Sequence, residues 1–400
     1  MQDKHSNLKS RNMFLIQNFE FVLFALTLVG VALFHKQTMW VALSGMTLIL
    51  IYKLAFNDPA DPFLLFHHLG EEGRTLINLM GLLLGFAILS KQFEESQVPD
   101  LLPNYLSSGW FGAFSLLLMI TLLSSFLDNI AAALIGGTIA LVVFRGKVHI
   151  GYIAAIVASS NAGGAGSVIG DTTTTLMWID GVPAMNVLHA YVAVIPALLI
   201  FGIPLSIIQT RYQPIQNDAA AGIRVNYRKI IVVALILVGA ITTNILLDFP
   251  AAGVWIGILL GALITSTPWN ELKTSLKGTI FLMALVFSAS MMPVEELPVA
   301  SWQTSFVLGF VSSVFDNIPL TKLALEQGGY DWGMLAYAVG FGGSMVWFGS
   351  SAGVAITNKF PEGRSVARWL KSGWWIAAAY VIGFLVLLAL RGWDPATDYR

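Results

Sequence analysis

The chain has 400 residues, of which 56% are hydrophobic and 11% charged, and its formal net charge is −1. Soluble domains carry about 25% charged residues, so this composition excludes an ordinary soluble protein, and the near-neutral charge argues against a nucleic-acid partner. The sequence contains no cysteine, which excludes disulfides, thiolate metal sites and thiol redox chemistry. We therefore expect an all-α polytopic membrane protein that has the lipid bilayer as its main partner.

Uninterrupted apolar runs, near the length of about 17–25 residues that crosses a bilayer, recur on both sides of a polar connector at residues 210–229. The first run is followed by 35-HKQT-38 and not by a small-residue cleavage site, which predicts a retained helix and not a signal peptide. We expect a single membrane domain over residues 1–400. The uninterrupted runs predict helices near residues 14–34, 39–56, 75–92, 187–209, 230–247, 250–266, 277–292 and 372–391.

Four other apolar stretches are interrupted by polar residues or glycines. Two of them break at Asp128-Asn129 and at Asp316-Asn317, and each of these suits a re-entrant hairpin whose arms enter and leave on one side of the membrane. The other two suit broken helices. In chain order the four stretches are residues 110–144 (hairpin), 150–178 (broken helix), 301–327 (hairpin) and 332–358 (broken helix).

The number of crossings predicts how the two halves are related. A hairpin makes no crossing, so each half crosses the membrane five times, and an odd number places the second half upside down relative to the first. This is the inverted-repeat plan of secondary transporters, in which discontinuous helices meet near mid-depth. We expect the first inverted repeat at residues 14–209 and the second at residues 230–391.

Basic residues predict the orientation. If the first hairpin opens to the cytoplasm, fourteen lysines and arginines fall on cytoplasmic segments and seven on the opposite side, although three basic residues precede the first helix. We therefore expect both termini outside, in a multi-pass protein of the bacterial inner (plasma) membrane.

The interruptions carry the polar chemistry. The hairpins contain 124-SSFLDN-129 and 312-SSVFDN-317, and the broken helices contain 159-SSNAGGAGSVIGDTTTTLMW-178 and 340-GFGGSMVWFGSSAGVAITN-358. A carboxylate in hydrocarbon costs roughly 2.5–3.5 kcal/mol, so the two aspartates need a compensating role. Hard cations such as sodium take oxygen ligands from carboxylates, amides, hydroxyls and backbone carbonyls, and these segments supply all four.

Glycines and capping residues allow a second interpretation of the same segments. Gly163, Gly164 and Gly166 are expected to let the first broken helix unwind, with close helix packing as the alternative. Asp128, Asp171 and Asp316, like their asparagine neighbours, are also residue types that cap helices and turns, and a purely structural capping role remains open at this stage.

These motifs resemble the ion transporter superfamily, which has a citrate transporter-like domain and includes NhaD-type sodium/proton antiporters, arsenite efflux pumps and citrate or dicarboxylate carriers. The similarity is greatest to the NhaD type. Residues that fall where NhaD-type proteins keep residues needed for transport are Asp128, Asn129, Asn161, Asp171, Thr173, Thr174, Asp316 and Asn317. The resemblance also implies a homodimer.

The predicted ion and substrate site combines the two hairpins and the two broken helices. Within it, Asp128, Asn129, Asp316 and Asn317 are the expected sodium ligands. The whole set is Ser125, Asp128, Asn129, Asn161, Asp171, Thr173, Thr174, Ser313, Asp316, Asn317, Ser344, Ser350 and Ser351.

The expected function is secondary active transport, in which sodium or lithium is exchanged for protons and no cofactor takes part. Burial disfavours the ionised carboxyl, so Asp128 and Asp316 are expected to hold protons on one side of the membrane and to exchange them for the cation on the other. An ATP-driven pump would need a phosphate-binding loop of the form G-x-x-x-x-G-K-[ST], which the sequence does not contain. An intramembrane aspartyl protease would carry G-x-G-D, whereas Val168, Ile169 and Gly170 precede Asp171.

A sodium-coupled citrate or dicarboxylate carrier, or another anion transporter of the superfamily, remains the alternative. The segment 85-GFAILSKQFEESQVPDLLP-103 departs from the acidic pattern of NhaD-type proteins in that region. Against the alternative, aspartates in the site would repel a carboxylate substrate unless they were protonated or loaded with sodium.

Overall fold

The structure, a computed structural model, describes residues 19–34, 37–56, 64–216 and 224–395. All regular elements in these ranges are helices, so the predicted all-α fold is confirmed. The helices are α1 (Phe19–Leu33), α2 (Thr38–Phe56), α3 (Leu64–Glu94), α4 (Val98–Leu101), α5 (Trp110–Ser124), α6 (Asn129–Val143), α7 (Ile150–Ala165), α8 (Thr172–Ile179), α9 (Ala184–Leu188), α10 (Tyr191–Tyr212), α11 (Tyr227–Leu247), α12 (Pro250–Ala262), α13 (Asn270–Ser290), α14 (Trp302–Ser312), α15 (Asn317–Gln327), α16 (Trp332–Gly342), α17 (Ser351–Lys359) and α18 (Val366–Arg391).

Within the described ranges, six helical segments are long and apolar enough to cross a membrane, and the protein is a multi-pass integral membrane protein. Their residues are predominantly apolar, as expected for helices that contact lipid. They are Thr38–Ala55, Glu72–Glu94, Ala184–Tyr212, Tyr227–Leu247, Asn270–Ser290 and Val366–Arg391.

Six helices pack into a group that we call the frame, which consists of α1 to α3 and α11 to α13. In this group α3 packs against α11, α12 and α13, and α2 packs against α13. Polar contacts fix the packing: the Ala251 backbone N–H donates to Asn78 Oδ1 at 3.0 Å, and Trp255 Nε1 donates to the Gly81 carbonyl at 3.0 Å. The frame therefore joins the first helices of both halves of the sequence.

The remaining helices form a second group, which we call the core bundle and which contains both hairpins and both broken helices. The hairpins are α5 with α6 and α14 with α15, and the broken helices are α7 with α8 and α16 with α17. Since α5 packs on α7 and α14 packs on α16, each hairpin lies against the broken helix that follows it. Contacts also cross between the halves, since α6 packs on α17 and α15 packs on α8. The four interruptions are thereby brought to the same region of the protein.

Some predicted helix bounds are wrong, and the reason is polar sequence inside the helices. The sequence predicts a helix only from about residue 75, because charged residues precede that position, yet α3 starts at Leu64, and Glu72 within it pairs with the buried Lys322. The predicted span 187–209, in contrast, lies within the one candidate crossing Ala184–Tyr212, which consists of α9 and α10. The predicted residues 14–18 and residues 217–223 of the connector lie outside the described part of the chain.

Candidate functional site

Each hairpin has a short turn between its arms, and a serine fixes that turn to a broken helix. The first arm of one hairpin ends at Ser124, whose hydroxyl donates to the Ser160 carbonyl of α7 at 2.5 Å. In the other hairpin the Ser312 hydroxyl donates to the Val339 carbonyl of α16 at 2.7 Å. The first serine of each Ser-Ser phrase is therefore a structural contact that recurs in both hairpins.

Glycines permit the backbone of each hairpin to touch the backbone of its broken helix. A Cβ at Gly163 would lie 2.0 Å from the Thr121 carbonyl oxygen, and one at Gly170 would lie 2.1 Å from the Ser124 carbonyl oxygen. Gly163, Gly164 and Gly166 do not have positive φ angles, which occur at other glycines of the described chain. The expectation that these glycines unwind the helix is thus wrong for Gly163 and Gly164, which lie inside α7, and close packing explains them.

The breaks in the two broken helices are held by side chains that contact the backbone. Asp171 caps α8, because its Oδ1 accepts from the Thr173 N–H at 3.3 Å. Thr174 Oγ1 donates to the Ser167 carbonyl at 2.5 Å and fixes the break itself. In the second broken helix Ser350 caps α17, since its hydroxyl accepts from the Gly353 N–H at 3.3 Å.

Asn161 is the centre of a polar network that joins both halves of the chain. Its side chain is fully buried, and its Oδ1 accepts from Asn129 Nδ2 at 3.2 Å. Its own Nδ2 donates to the hydroxyls of Ser344 and Ser350, each at 3.0 Å. One amide therefore connects the first hairpin, the first broken helix and the break of the second.

Three carboxylates converge on this network. Asp171 is buried, its Oδ2 accepts from Asn317 Nδ2 at 3.5 Å, and it lies within electrostatic range of both Asp128 and Asp316. Asp316 accepts from the Ile318 N–H at 3.0 Å and from the Ser351 hydroxyl. Asp128 precedes α6, and its carboxylate faces the backbone N–H groups of Asn129, Ile130 and Ala131 at the start of that helix.

The charges of these carboxylates are not balanced by basic residues. Among the described residues, no lysine or arginine pairs with Asp128, Asp171 or Asp316. Nowhere in the described ranges are three acidic or histidine side chains close enough together to chelate one metal ion. The arrangement is therefore an acidic region in which each carboxylate has amide and hydroxyl neighbours, and not a compact chelating cluster.

The remaining predicted residues lie beside this region. Ser125 Oγ donates to the Thr121 carbonyl at 3.1 Å, and Ser313 Oγ donates to the Phe310 carbonyl at 2.6 Å, so both hydroxyls bond to their own helices. Thr173 is buried next to Asp171. Their assignment as ion ligands stays a prediction.

One contact residue was missed by the sequence analysis. Tyr191 donates its phenolic hydrogen to Ser125 Oγ at 2.7 Å or to the Gly163 carbonyl at 3.0 Å, and it fixes the first hairpin to α7. It stands at the start of an ordinary apolar helix, where no pattern distinguishes it from an interfacial anchor.

A cavity of about 180 Å³ opens between the acidic region and the frame. Asp128 and Asp171 line it on the core-bundle side, together with Thr172 and Thr175. The opposite wall consists of residues from α3 and α13. Asp128 is partly exposed because it faces this cavity.

Comparison with known proteins agrees with a transporter. The profile described as citrate transporter (CitMHS) matches residues 12–342. Sodium/proton antiporter 1 of Arabidopsis thaliana is 23% identical over 377 residues, covering 82% of this chain and 62% of that protein, so this chain spans less than two thirds of its length. Sodium/proton antiporter 2 of the same plant is 23% identical over 81% of this chain and 85% of its own length. The Na(+)/H(+) antiporter NhaD of Halomonas elongata is 23% identical over 74% of this chain and 72% of its own length.

Proposed function

This chain belongs to the citrate transporter family, and from that premise we propose that it exchanges sodium or lithium for protons across the membrane. It is a membrane transporter and not an enzyme. The finer proposal rests on one observation: Asp128, Asp171 and Asp316 converge around an amide and hydroxyl network without a basic partner in the described chain. An acidic region of this kind, in which Asp171 is buried and Asp128 and Asp316 are partly exposed, is stabilised by protons or by cations.

The same charges disfavour a free carboxylate as substrate. A di- or tricarboxylate placed beside three aspartates would meet like charge in a region of low dielectric, where electrostatic energies are larger than in water. Sodium would instead gain carboxylate, amide and hydroxyl oxygens from both halves of the chain. Proton and sodium would then compete for the same negative charge, and this competition provides the coupling.

We further propose that the two halves form an inverted repeat. The order hairpin, broken helix, long helix occurs as α5 to α10 and again as α14 to α18. Ser124 and Ser312 make equivalent contacts to the following broken helix, and the cross-packing of α6 with α17 and of α15 with α8 supports a common axis. Alternating access would then come from movement of the core bundle against the frame, and a homodimer through the frame completes the proposal.

The function is tested with purified protein in liposomes that carry an imposed proton gradient. Sodium, lithium, potassium and citrate are added one at a time, and the internal pH is followed with an enclosed dye. We expect sodium or lithium to collapse the gradient while potassium and citrate leave it intact. Collapse by none of the cations would overturn the proposal.

A sodium-coupled citrate carrier is the second candidate, because the matching family is described as citrate transporter. It predicts uptake of labelled citrate that depends on a sodium gradient and that does not require a proton gradient. The same liposomes, loaded without a proton gradient, measure this directly. Sodium-driven citrate uptake would contradict the antiporter proposal and support the citrate carrier.

A further inference from the structure

The cavity beside the acidic region has two walls of different chemistry. Its core-bundle wall contains the carboxylates of Asp128 and Asp171. On the frame side α3 contributes apolar residues from Leu82 to Ala87, whereas α13 contributes Ser275, Gly278 and Thr279 together with Leu282. At about 30 Å³ for each water molecule, 180 Å³ has room for roughly six waters, enough for a partly hydrated ion.

The cavity extends toward one membrane face. Leu82 and Leu282 lie near the middle of α3 and α13, whereas Ala87 approaches the end of α3 and Ser275 approaches the beginning of α13. At about 1.5 Å of rise per residue, this displacement is about 8 Å along α3 and about 10 Å along α13.

Contacts identify that face as the one that carries the connector. The Asn226 N–H, at the end of the connector, donates to the Ser96 carbonyl at 2.9 Å, just beyond α3. Gln92 Nε2 of α3 donates to the Ser266 carbonyl at 3.2 Å, shortly before α13. The end of α3, the approach to α13 and the connector therefore lie together.

We propose that this cavity is the route by which the cation reaches Asp128 and Asp171 from the connector face, and that Ser275 and Thr279 of the frame contact the ion on its way. This inference rests on the proposed function and deepens it, because it assigns frame residues to the ion path. It does not depend on which face is cytoplasmic.

The chemistry of Thr279 fits this role. Its hydroxyl donates to the Ser275 carbonyl at 3.0 Å within α13, so its one hydrogen is committed and its oxygen can only accept or coordinate. An oxygen with free lone pairs beside two carboxylates is a suitable passing ligand for a hard cation. The apolar residues of α3 offer no competing donor, so the path is polar on α13 and on the core bundle.

Accessibility tests the route independently of transport. Since the chain has no cysteine, single variants report one position each: Ser275→Cys for the cavity, Arg224→Cys for the connector face and Glu295→Cys for the face at the other end of α13. In sealed vesicles of known orientation, a membrane-impermeant thiol reagent is expected to modify Ser275→Cys from the side that modifies Arg224→Cys. Sodium or lithium should slow the modification at least threefold, and potassium should not.

The proposed route would be overturned if the reagent modified Ser275→Cys only from the membrane face opposite the connector, or from neither face. Modification from the connector side without slowing by sodium or lithium would overturn the ion contact. If citrate, and neither sodium nor lithium, slowed the modification, the cavity would still be a substrate path but the antiporter proposal would fail. Failure of the route and failure of the proposed function are therefore distinguishable.

A plug variant gives a second test. A Cβ at Gly278 meets nothing within 4 Å, so Gly278→Phe places a large side chain in the open cavity without a clash at its first atom. We expect at least tenfold slower sodium-dependent proton movement with unchanged yield and monodispersity. Gly73→Phe on α3 is the matched control, because its Cβ also meets nothing within 4 Å and it does not line the cavity. Equal rates in the two variants would contradict the proposal.

Discussion

At the residue scale, Asn161 shows how one side chain joins the halves of the protein. Its amide contacts Asn129 of the first hairpin and both Ser344 and Ser350 at the break of the second broken helix. Asn161→Ala would leave these buried groups without their partner, and an unsatisfied buried polar group costs about 1–3 kcal/mol. We expect a lower unfolding temperature in detergent and loss of exchange in liposomes.

Asn161→Asp separates structure from chemistry at the same position. Its carboxylate can accept from Asn129 and from both serine hydroxyls, so the fold should persist while the added charge raises the apparent affinity for sodium. Asn358→Ala on α17 is the control, since Asn358 is exposed and bonds to Arg364 outside the network. Unchanged sodium affinity in Asn161→Asp would argue against a cation close to Asn161.

The sequence identifies most of this site because its polar residues interrupt apolar helices. Asp128, Asp171 and Asp316 stand out for that reason, and the structure brings all three together. Tyr191 and Thr279 do not stand out, since a single hydroxyl in a membrane helix is common and its neighbour is set by packing between distant helices. Long-range contacts of this kind leave no local pattern.

At the element scale, close backbone packing explains the glycines at the breaks. Gly170→Ala and Gly349→Ala would place a Cβ 2.1 Å and 2.5 Å from the carbonyl oxygens of Ser124 and Ser313, respectively. Because backbone atoms must move, we expect each variant to lose about 1–3 kcal/mol of stability. Thermal unfolding in detergent measures this, and Gly73→Ala, which meets open space, should unfold at or slightly above the wild-type temperature.

A buried ion triad fixes the second hairpin to the frame. Lys322 of α15 is 1% exposed, and its Nζ lies 2.9 Å from Glu72 Oε2 of α3 and 2.5 Å from Glu326 Oε1. Lys322→Met would leave the two partly buried carboxylates without a basic partner. At buried ion pairs, such a loss lowers the free energy of unfolding by about 3–5 kcal/mol. We expect low yield and a reduced unfolding temperature.

Rescue distinguishes this charge effect from a packing defect. Adding Glu72→Gln and Glu326→Gln to Lys322→Met removes the stranded charges and should restore much of the stability. Lys91→Met breaks the exposed Lys91–Glu94 pair and should change stability by no more than about 1 kcal/mol. Equal losses for Lys91→Met and Lys322→Met would show that burial does not set the effect.

At the scale of the whole molecule, the basic residues predict that the connector faces the cytoplasm. An impermeant thiol reagent applied to intact cells should therefore leave Arg224→Cys unmodified and should modify Glu295→Cys, and permeabilised cells should show modification of both. Modification of Arg224→Cys in intact cells would reverse the orientation, although the ion route would remain defined relative to the connector.

The fold is largely predictable from apolar runs, whereas its packing is not. Helix type and order follow from hydropathy, since apolar helices satisfy their own backbone in lipid. The extension of α3 to Leu64 was missed because charged residues near Glu72 signal a loop unless their buried partner is known. Likewise, the separation into frame and core bundle depends on contacts between helices far apart in sequence, such as α3 with α13.

The central claim is that the hairpin carboxylates carry the exchanged charge, and the double variant Asp128→Asn, Asp316→Asn tests it most directly. An asparagine Oδ1 can keep the bond that Asp316 accepts from the Ile318 N–H, and at position 128 it can face the same backbone N–H groups at the start of α6 as the carboxylate does, so the protein should fold. In liposomes we expect monodisperse protein with sodium-dependent proton movement reduced to the rate of empty vesicles. Exchange near the wild-type rate would show that neither carboxylate carries the coupled charge and would contradict the account.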